Sequence, residues 1–380
     1  MPGHGYEHYV PRPIPRGLDF DQLTVRSLSA ADRALGRLAG AGRLLTNPHL
    51  LVRPYLATEA LASSRIEGTQ ASLSDVFEAD ADEGRADSVD VREVQNYVAA
   101  FELGRGLLDA LPLSLRLVRM VHQRLLTDVR GVEKNPGQFR TSQNWIGRPG
   151  GGLADAVFVP PRHDPEMREA LADWERFIHE RDGLLPPLVV CALLHHQFET
   201  IHPFLDGNGR LGRLVVILYL LDVGELSEPL LYLSPWFERD REAYYAHLQG
   251  VRERGEVQEW LRYFLDGVAY QASDAVARAE RLTDLQQTYR TELTGDRSNA
   301  IHLVDLLFAN PVVTTTRVSR QLDVTGAGAL NVIRKLEGKG WLREARVSGR
   351  GGRITWIATD IMGVLAGALT DEPMGGTDGR

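Results

Sequence analysis

The sequence predicts a mainly α-helical protein that ends in a small winged helix-turn-helix domain, on three observations. Helix-prone stretches broken by Gly and Pro fill most of the chain. β-prone residues gather in a short piece at 137–161 and again near the C-terminus. After Gly295 the composition changes to three short helical stretches and then two strands joined by a Gly-rich turn, the order of a winged helix-turn-helix.

Taken in order, PYLATEALASSRIE (54–67) reads as a helix with Pro54 suited to its first turn and Gly68 to the position just past its end. The acidic EADADEGRAD (78–87) reads as a solvated loop or cap region, and a second helix is expected from about Val89 to Leu108. Further helices are expected over 113–129, 165–181 and 187–201. Between them QFRTSQNWI and AVFVP surround RPGGG, a hairpin signal. Two strands alone are marginal in water, so this hairpin should lie against helices. Helical pattern resumes over 210–221, 244–251 and 257–293, the last stretch reading as a connecting helix over 266–298. The winged helix-turn-helix is expected at 299–361 and a flexible tail at 362–380.

Lys and Arg number 43 against 51 Asp and Glu, a net charge of -8 that gives no global attraction to nucleic acid or an anionic membrane. Residues 317–353 differ, with nine basic side chains against three acidic ones, so this stretch suits contact with DNA or with a protein. The single cysteine, Cys191, sits in the apolar run LVVCALL and excludes an intrachain disulfide. The N-terminus MPGHGYEHYVPRPIPRG does not resemble a signal peptide, and the run LVVILYLL (214–221) is far shorter than the roughly 20 residues that span a bilayer. A cytoplasmic protein without a membrane segment is the expectation.

The chemistry concentrates in IHPFLDGNGRLGR (201–213). PPLVVCALLHHQFETI should be a buried helix that stops at His202, because Pro203 disfavours the helical conformation in the residue before it. RLGRLVVILYLL begins the next helix, so LDGNG lies at a helix N-terminus, where unpaired N–H groups and the dipole attract anions. Arg210 and Arg213 share a face near that same end, where the dipole alone would favour acids, and so imply a ligand that brings negative charge. Asp206 could hold Mg²⁺ against phosphate oxygens, Asn208 could donate to a phosphate, and His202 is placed to be a general base. The competing reading is an ordinary turn capped by Asp206.

The whole string HPFLDGNGR followed by Arg213 resembles the signature of the Fic family, H-P-F-x-D/E-G-N-G-R with a second Arg three residues on. The resemblance implies a helical core with a β-hairpin flap, and transfer of AMP from ATP to a hydroxyl of a target protein. It implies that His202 is the base, that Asp206 holds Mg²⁺, that Gly207, Asn208 and Gly209 cradle the phosphates, and that Arg210 and Arg213 contact them. It also makes the hairpin at 137–161 a flap that holds the target as a strand. Tyr244 and Tyr245 resemble aromatic residues that line the adenine pocket. On this reading residues 1–110 form an N-terminal helical region and 111–265 the catalytic core, and a homodimer is compatible with both.

Upstream, Ser63-Ser64-Arg65-Ile66-Glu67-Gly68 resembles the inhibitory motif of many Fic proteins, with Ser63, Glu67 and Gly68 at the matching positions. The resemblance implies that Glu67 pairs with Arg213 and obstructs productive ATP binding, so that the protein inhibits itself. Removal of AMP on the same fold, and a DNA-binding regulator acting through 299–361, are the alternative readings.

Overall fold

A computed structural model describes residues 6–44, 49–82, 88–147, 151–180, 183–345 and 354–367. In order, the helices are α1 (Gln22–Leu44), α2 (His49–Ile66), α3 (Leu73–Ala81), α4 (Val89–Leu108) and α5 (Leu115–Leu125). A minimal hairpin of β1 (Ile146–Gly147) and β2 (Ala156–Phe158) follows. Then come α6 (Glu166–His179), α7 (Pro187–Ile201), α8 (Asn208–Asp222), α9 (Ser234–Arg239), α10 (Arg241–Arg254) and α11 (Val257–Glu292). The chain finishes with α12 (Ala300–Ala309), β3 (Val312–Thr314), α13 (Thr315–Gln321), α14 (Gly326–Gly338), β4 (Arg343–Glu344), β5 (Thr355–Ile357) and α15 (Thr359–Ala366).

The chain divides into two compact units. The first holds residues 1–48, 59–72 and 86–276. Its centre is the pair α7 and α8, buried almost throughout, with runs of Leu, Val and Ile in both and polar side chains gathered where α7 ends and α8 begins. α4 and α5 pack on α8, where Gly104 lets Leu218 and Val121 approach the backbone too closely for a Cβ. Two buried indoles satisfy their N–H groups on α7, Trp174 on the Leu194 carbonyl at 2.9 Å and Trp260 on that of Ala192 at 3.0 Å. Truncating either side chain to Ala should cost about 3–5 kcal/mol.

The second unit holds residues 49–58, 73–85 and 277–380. Its sheet runs in the order β3-β5-β4, all antiparallel, with Val313 opposite Trp356 and Thr314 opposite Thr355. α12, α13 and α14 precede β4 and β5, the element order expected of a winged helix-turn-helix, and the Gly-rich turn at 346–353 lies outside the described residues. Thr314 and Thr325 cap α13 and α14, and the Tyr289 ring stacks on Trp341 at 4.0 Å.

Several expectations need correction. α2 begins at His49, so Pro54 is inside the helix and not in its first turn; burial of Tyr55, Leu56 and Ala57 around it outweighs the hydrogen bond it cannot make. The acidic stretch 78–87 is not all loop, since Glu78–Ala81 end α3, whose Val76, Phe77, Ala79 and Ala81 are buried. The tail is helical as far as Ala366, with Ile361 and Leu365 buried, and residues 368–380 lie outside the described set. The expected connecting helix is the later part of the 36-residue α11. Of the hairpin turn, residues 148–150 also lie outside.

Candidate active site

α7 ends at Ile201, and His202 takes a left-handed conformation (φ 49, ψ 60) as its cap, its N–H still bonded to the Phe198 carbonyl at 2.9 Å. The loop that follows is tied to itself. Asn208 accepts from the Phe204 N–H and donates to the Phe204 carbonyl, both at 2.8 Å. Its side chain, 2% exposed, thus closes the loop, with one of the two amide N–H groups spent on the Phe204 carbonyl. Gly207, at φ 75, is the N-cap of α8 in a conformation that glycine adopts without strain.

Another residue, not visible in the sequence, anchors this turn. His122 on α5 accepts the Gly137 N–H at Nδ1 (2.8 Å), which leaves Nε2 to donate to the Asp206 carbonyl (2.9 Å). Its ring stacks on Phe204 at 3.8 Å. Burial lowers its pKa to about 4, outweighing the bond to Asp206, so the neutral tautomer persists at physiological pH.

Arg210 and Arg213 are both buried on α8. Arg213 donates from Nε to the Ser63 hydroxyl (2.9 Å) and from Nη2 to the Ser63 carbonyl (2.9 Å) and to Glu67 Oε1 (2.7 Å). The Glu67 carboxylate also lies against Gly209, where a Cβ would collide with it. Burial works against ionisation of Glu67, but Arg213, with Arg210 and His202, outweighs it and holds the carboxyl below its ordinary range. Gly68, at φ 99, turns the chain out of α2. Next, Thr69 donates to buried Glu93 at 2.8 Å, and Arg130 grips the same carboxylate at 2.7 and 2.8 Å.

Arg210 is left differently. Its Nε and Nη1 have no hydrogen-bond acceptor among the described residues, and its nearest carboxylates are Asp206 at 3.6 Å and Glu93 at 4.0 Å. Buried guanidinium donors without acceptors are costly, and a phosphate at the N-terminus of α8 would satisfy them.

His202 has its pKa lowered to about 4, by burial first and then by Arg252, with Arg140 acting in the same direction and Glu67 against it. A neutral imidazole at pH 7 is what a proton acceptor needs. Asp206 is raised by burial and by Glu67 and Glu93, against the pull of Arg210 and the Gly207 N–H. Its carboxylate is 40% exposed, and among the described residues no cluster of three or more His, Cys, Asp or Glu forms a metal cage. One accessible carboxylate beside the glycine turn of α8 fits Mg²⁺, which uses one or two carboxylates plus substrate phosphates.

The two tyrosines part company. Tyr244 is 1% exposed, bonded to His195 Nε2 at 2.9 Å and stacked on Phe237 at 4.5 Å, whereas Tyr245 is 47% exposed. Only Tyr245 presents a ring that a ligand could reach. The structure therefore gathers Ser63, Glu67, Arg210 and Arg213 with the 202–209 loop, and withdraws Tyr244 into the core.

The profile of the Fic/DOC family N-terminal region matches residues 25–106, and that of the Fic/DOC family matches residues 112–220, together half of the chain. Over 165 residues the chain is 26% identical to protein adenylyltransferase Fic of Drosophila grimshawi and 24% identical to that of Drosophila melanogaster. These matches take in 43% of this chain and 30% of each relative, so the chain spans less than a third of the relatives' length. Among solved structures, a Fic family protein from Desulfovibrio desulfuricans has a TM-score of 0.59 at 19% identity, covering 91% of this chain and 98% of that one. A Fic domain containing signalling protein from Bacteroides thetaiotaomicron has a TM-score of 0.50 at 17% identity, covering 68% of this chain and 97% of the other. With the motif, the helical core and both profiles in agreement, the chain belongs to the Fic/DOC family.

Proposed function

We propose that this protein is a protein adenylyltransferase that moves AMP from ATP to a hydroxyl of a target protein and is held in check by Glu67. The observation that carries the reading is the unmet, buried Arg210 beside the glycine turn of α8, with neutral His202 at the end of the preceding helix. His202 takes the proton of the target hydroxyl as its oxygen bonds to the α-phosphorus. The bond from that phosphorus to the bridging oxygen breaks and pyrophosphate leaves. Asp206 would hold Mg²⁺, which neutralises phosphate charge when bound. Arg213 would orient the γ-phosphate, and the Glu67 carboxylate, bonded to it at 2.7 Å and seated on Gly209, stands in the way.

The test is transfer of label from α-³²P ATP with Mg²⁺ to proteins of a cell extract. Clearing the carboxylate from Arg213 and from its seat on Gly209 frees a subsite that the γ-phosphate needs, an effect of ordinary regulatory size, so Glu67→Gly should be roughly 10- to 100-fold more active than the parent. Adding His202→Ala should remove that gain. Label arriving from γ-³²P ATP in place of α-³²P ATP would overturn the reading in favour of phosphoryl transfer.

A further inference from the structure

Arg140 lies in the segment that leads into β1, and its residue is 3% exposed. Its guanidinium fans over four main-chain carbonyls: Nε to His202 (3.0 Å), Nη1 to Ser142 (3.2 Å), and Nη2 to Pro161 (2.5 Å) and Ile201 (3.4 Å). Its own N–H donates to the Pro203 carbonyl at 2.9 Å. Asn144 adds two bonds, to the carbonyls of His202 (3.2 Å) and Phe204 (2.8 Å). Ser142 and Pro161 are the two feet of the hairpin, one before β1 and one after β2.

A buried arginine is ordinarily paired with a carboxylate, since an uncompensated charge is costly to desolvate. Among the described residues, Arg140 has only carbonyl dipoles as hydrogen-bond acceptors. Burial lowers its pKa to about 10, so it keeps its charge at neutral pH. Left-handed backbone is unfavourable for a residue with a Cβ and persists where its surroundings hold it. At His202 the holding groups are Arg140 and Asn144, which share the carbonyl that helix α7 can no longer use.

We infer that Arg140 is a positioning residue, which fixes the main chain of His202 and both feet of the hairpin in one register and so sets how a flap-held hydroxyl meets the imidazole. This rests on the proposed role of His202 as base. Arg140 touches no group of the phosphate cradle, so its effect separates from nucleotide binding. Its charge has a second consequence, because with Arg252 from α10 it opposes protonation of His202, while Glu67 from α2 favours it. Glu199 on α7, raised to about 7 by burial, lies close to Arg252 and Glu67 in the same region.

The experiment places Arg140→Gln, Arg140→Lys and Asn144→Ala in the full-length Glu67→Gly protein. Because small misplacements of reacting groups cost up to about 10²-fold in rate, kcat for AMP transfer should fall by that order in both Arg140 variants and by less in Asn144→Ala. Affinity for Mg·ATP, read by calorimetry, should stay within about twofold of Glu67→Gly, since cradle and cation contacts are untouched. Histidine NMR should show His202 titrating at higher pH in Arg140→Gln than in the parent, and unmoved in Arg140→Lys, which keeps the charge but cannot span four carbonyls. Loss of nucleotide affinity in step with kcat, or an unmoved His202 titration in Arg140→Gln, would overturn the inference. If Arg140→Gln does not fold, the kcat-against-affinity split in Arg140→Lys and Asn144→Ala decides it. If Glu67→Gly transfers no AMP, the adenylyltransferase reading fails by itself, and the NMR titration still decides Arg140.

Discussion

Arg210 and Arg213 sit one turn apart on the same helix, equally out of solvent, and meet opposite fates. Arg213 has three acceptors within 2.9 Å, all from the end of α2, while Arg210 keeps two donor atoms without any. An unmet buried donor is a standing cost, and a phosphate docked at the glycine turn of α8 would relieve it. The contrast divides the site into an open end, which the proposed function gives to the inner phosphates, and an end already filled by the protein's own anion. Under the proposed function, inhibition is a matter of one occupied subsite, and binding of nucleotide and its productive orientation are separable.

The largest way to break this contrast is Arg210→Ala in the Glu67→Gly protein. Losing a buried charge-assisted contact to phosphate costs about 2–5 kcal/mol, so Mg·ATP affinity measured by calorimetry should fall by roughly two to three orders of magnitude. An affinity within about threefold of the Glu67→Gly protein would mean that Arg210 is not the open anion subsite.

A smaller change sharpens the other end. Ser63→Ala removes the hydroxyl that takes Arg213 Nε but leaves the Ser63 carbonyl and Glu67 in place. The loss of about 1 kcal/mol from the clamp should raise AMP transfer roughly three- to tenfold, less than Glu67→Gly does. A rise as great as that of Glu67→Gly would place the inhibition in the seating of α2 as a whole and not in the carboxylate.

How much of this was legible depends on where the partners lie in the chain. His202, Asp206 and the two arginines fall within twelve consecutive residues, and Pro203 and the glycines announce the helix break between them, so residue order carried the chemistry. The limits of α4 and α7 were equally plain, because Ser88 caps the first and Pro203 stops the second. Arg140, Asn144 and His122 left no such trace. They act by hydrogen bonds with main-chain groups, most of them 58 to 84 residues away, and a carbonyl has no letter in the sequence. Asn208 has a part that the sequence did not show for a related reason, since its amide also closes the loop on both main-chain groups of Phe204. α3 was hidden because its acidic letters look solvated while Phe77 and Val76 alternate with them into the core.

The smallest effect concerns pH, and it follows from Glu67 being held below its ordinary pKa against the cost of burial. A depressed carboxyl contributes stability that is fully present above its unfolded value, near ~4.3, and is lost as pH falls through the lower folded value. The clamp should thus be insensitive to pH across the neutral range and weaken only in acid. The Glu67 side chain is 39% exposed, so solvent screens the pair despite its short bond. Its worth is then nearer that of a surface ion pair, about 1 kcal/mol or less. The difference in melting temperature between the parent and Glu67→Gln should accordingly be constant from about pH 8 to pH 5 and shrink below about pH 4. His202, whose pKa of about 4 falls in the same window, gains positive charge there, and that charge is one of the causes that hold Glu67 low. A difference that already narrows between pH 8 and pH 6 would mean that Glu67 is not ionised on Arg213, and the two ends of the site would no longer differ in the way described.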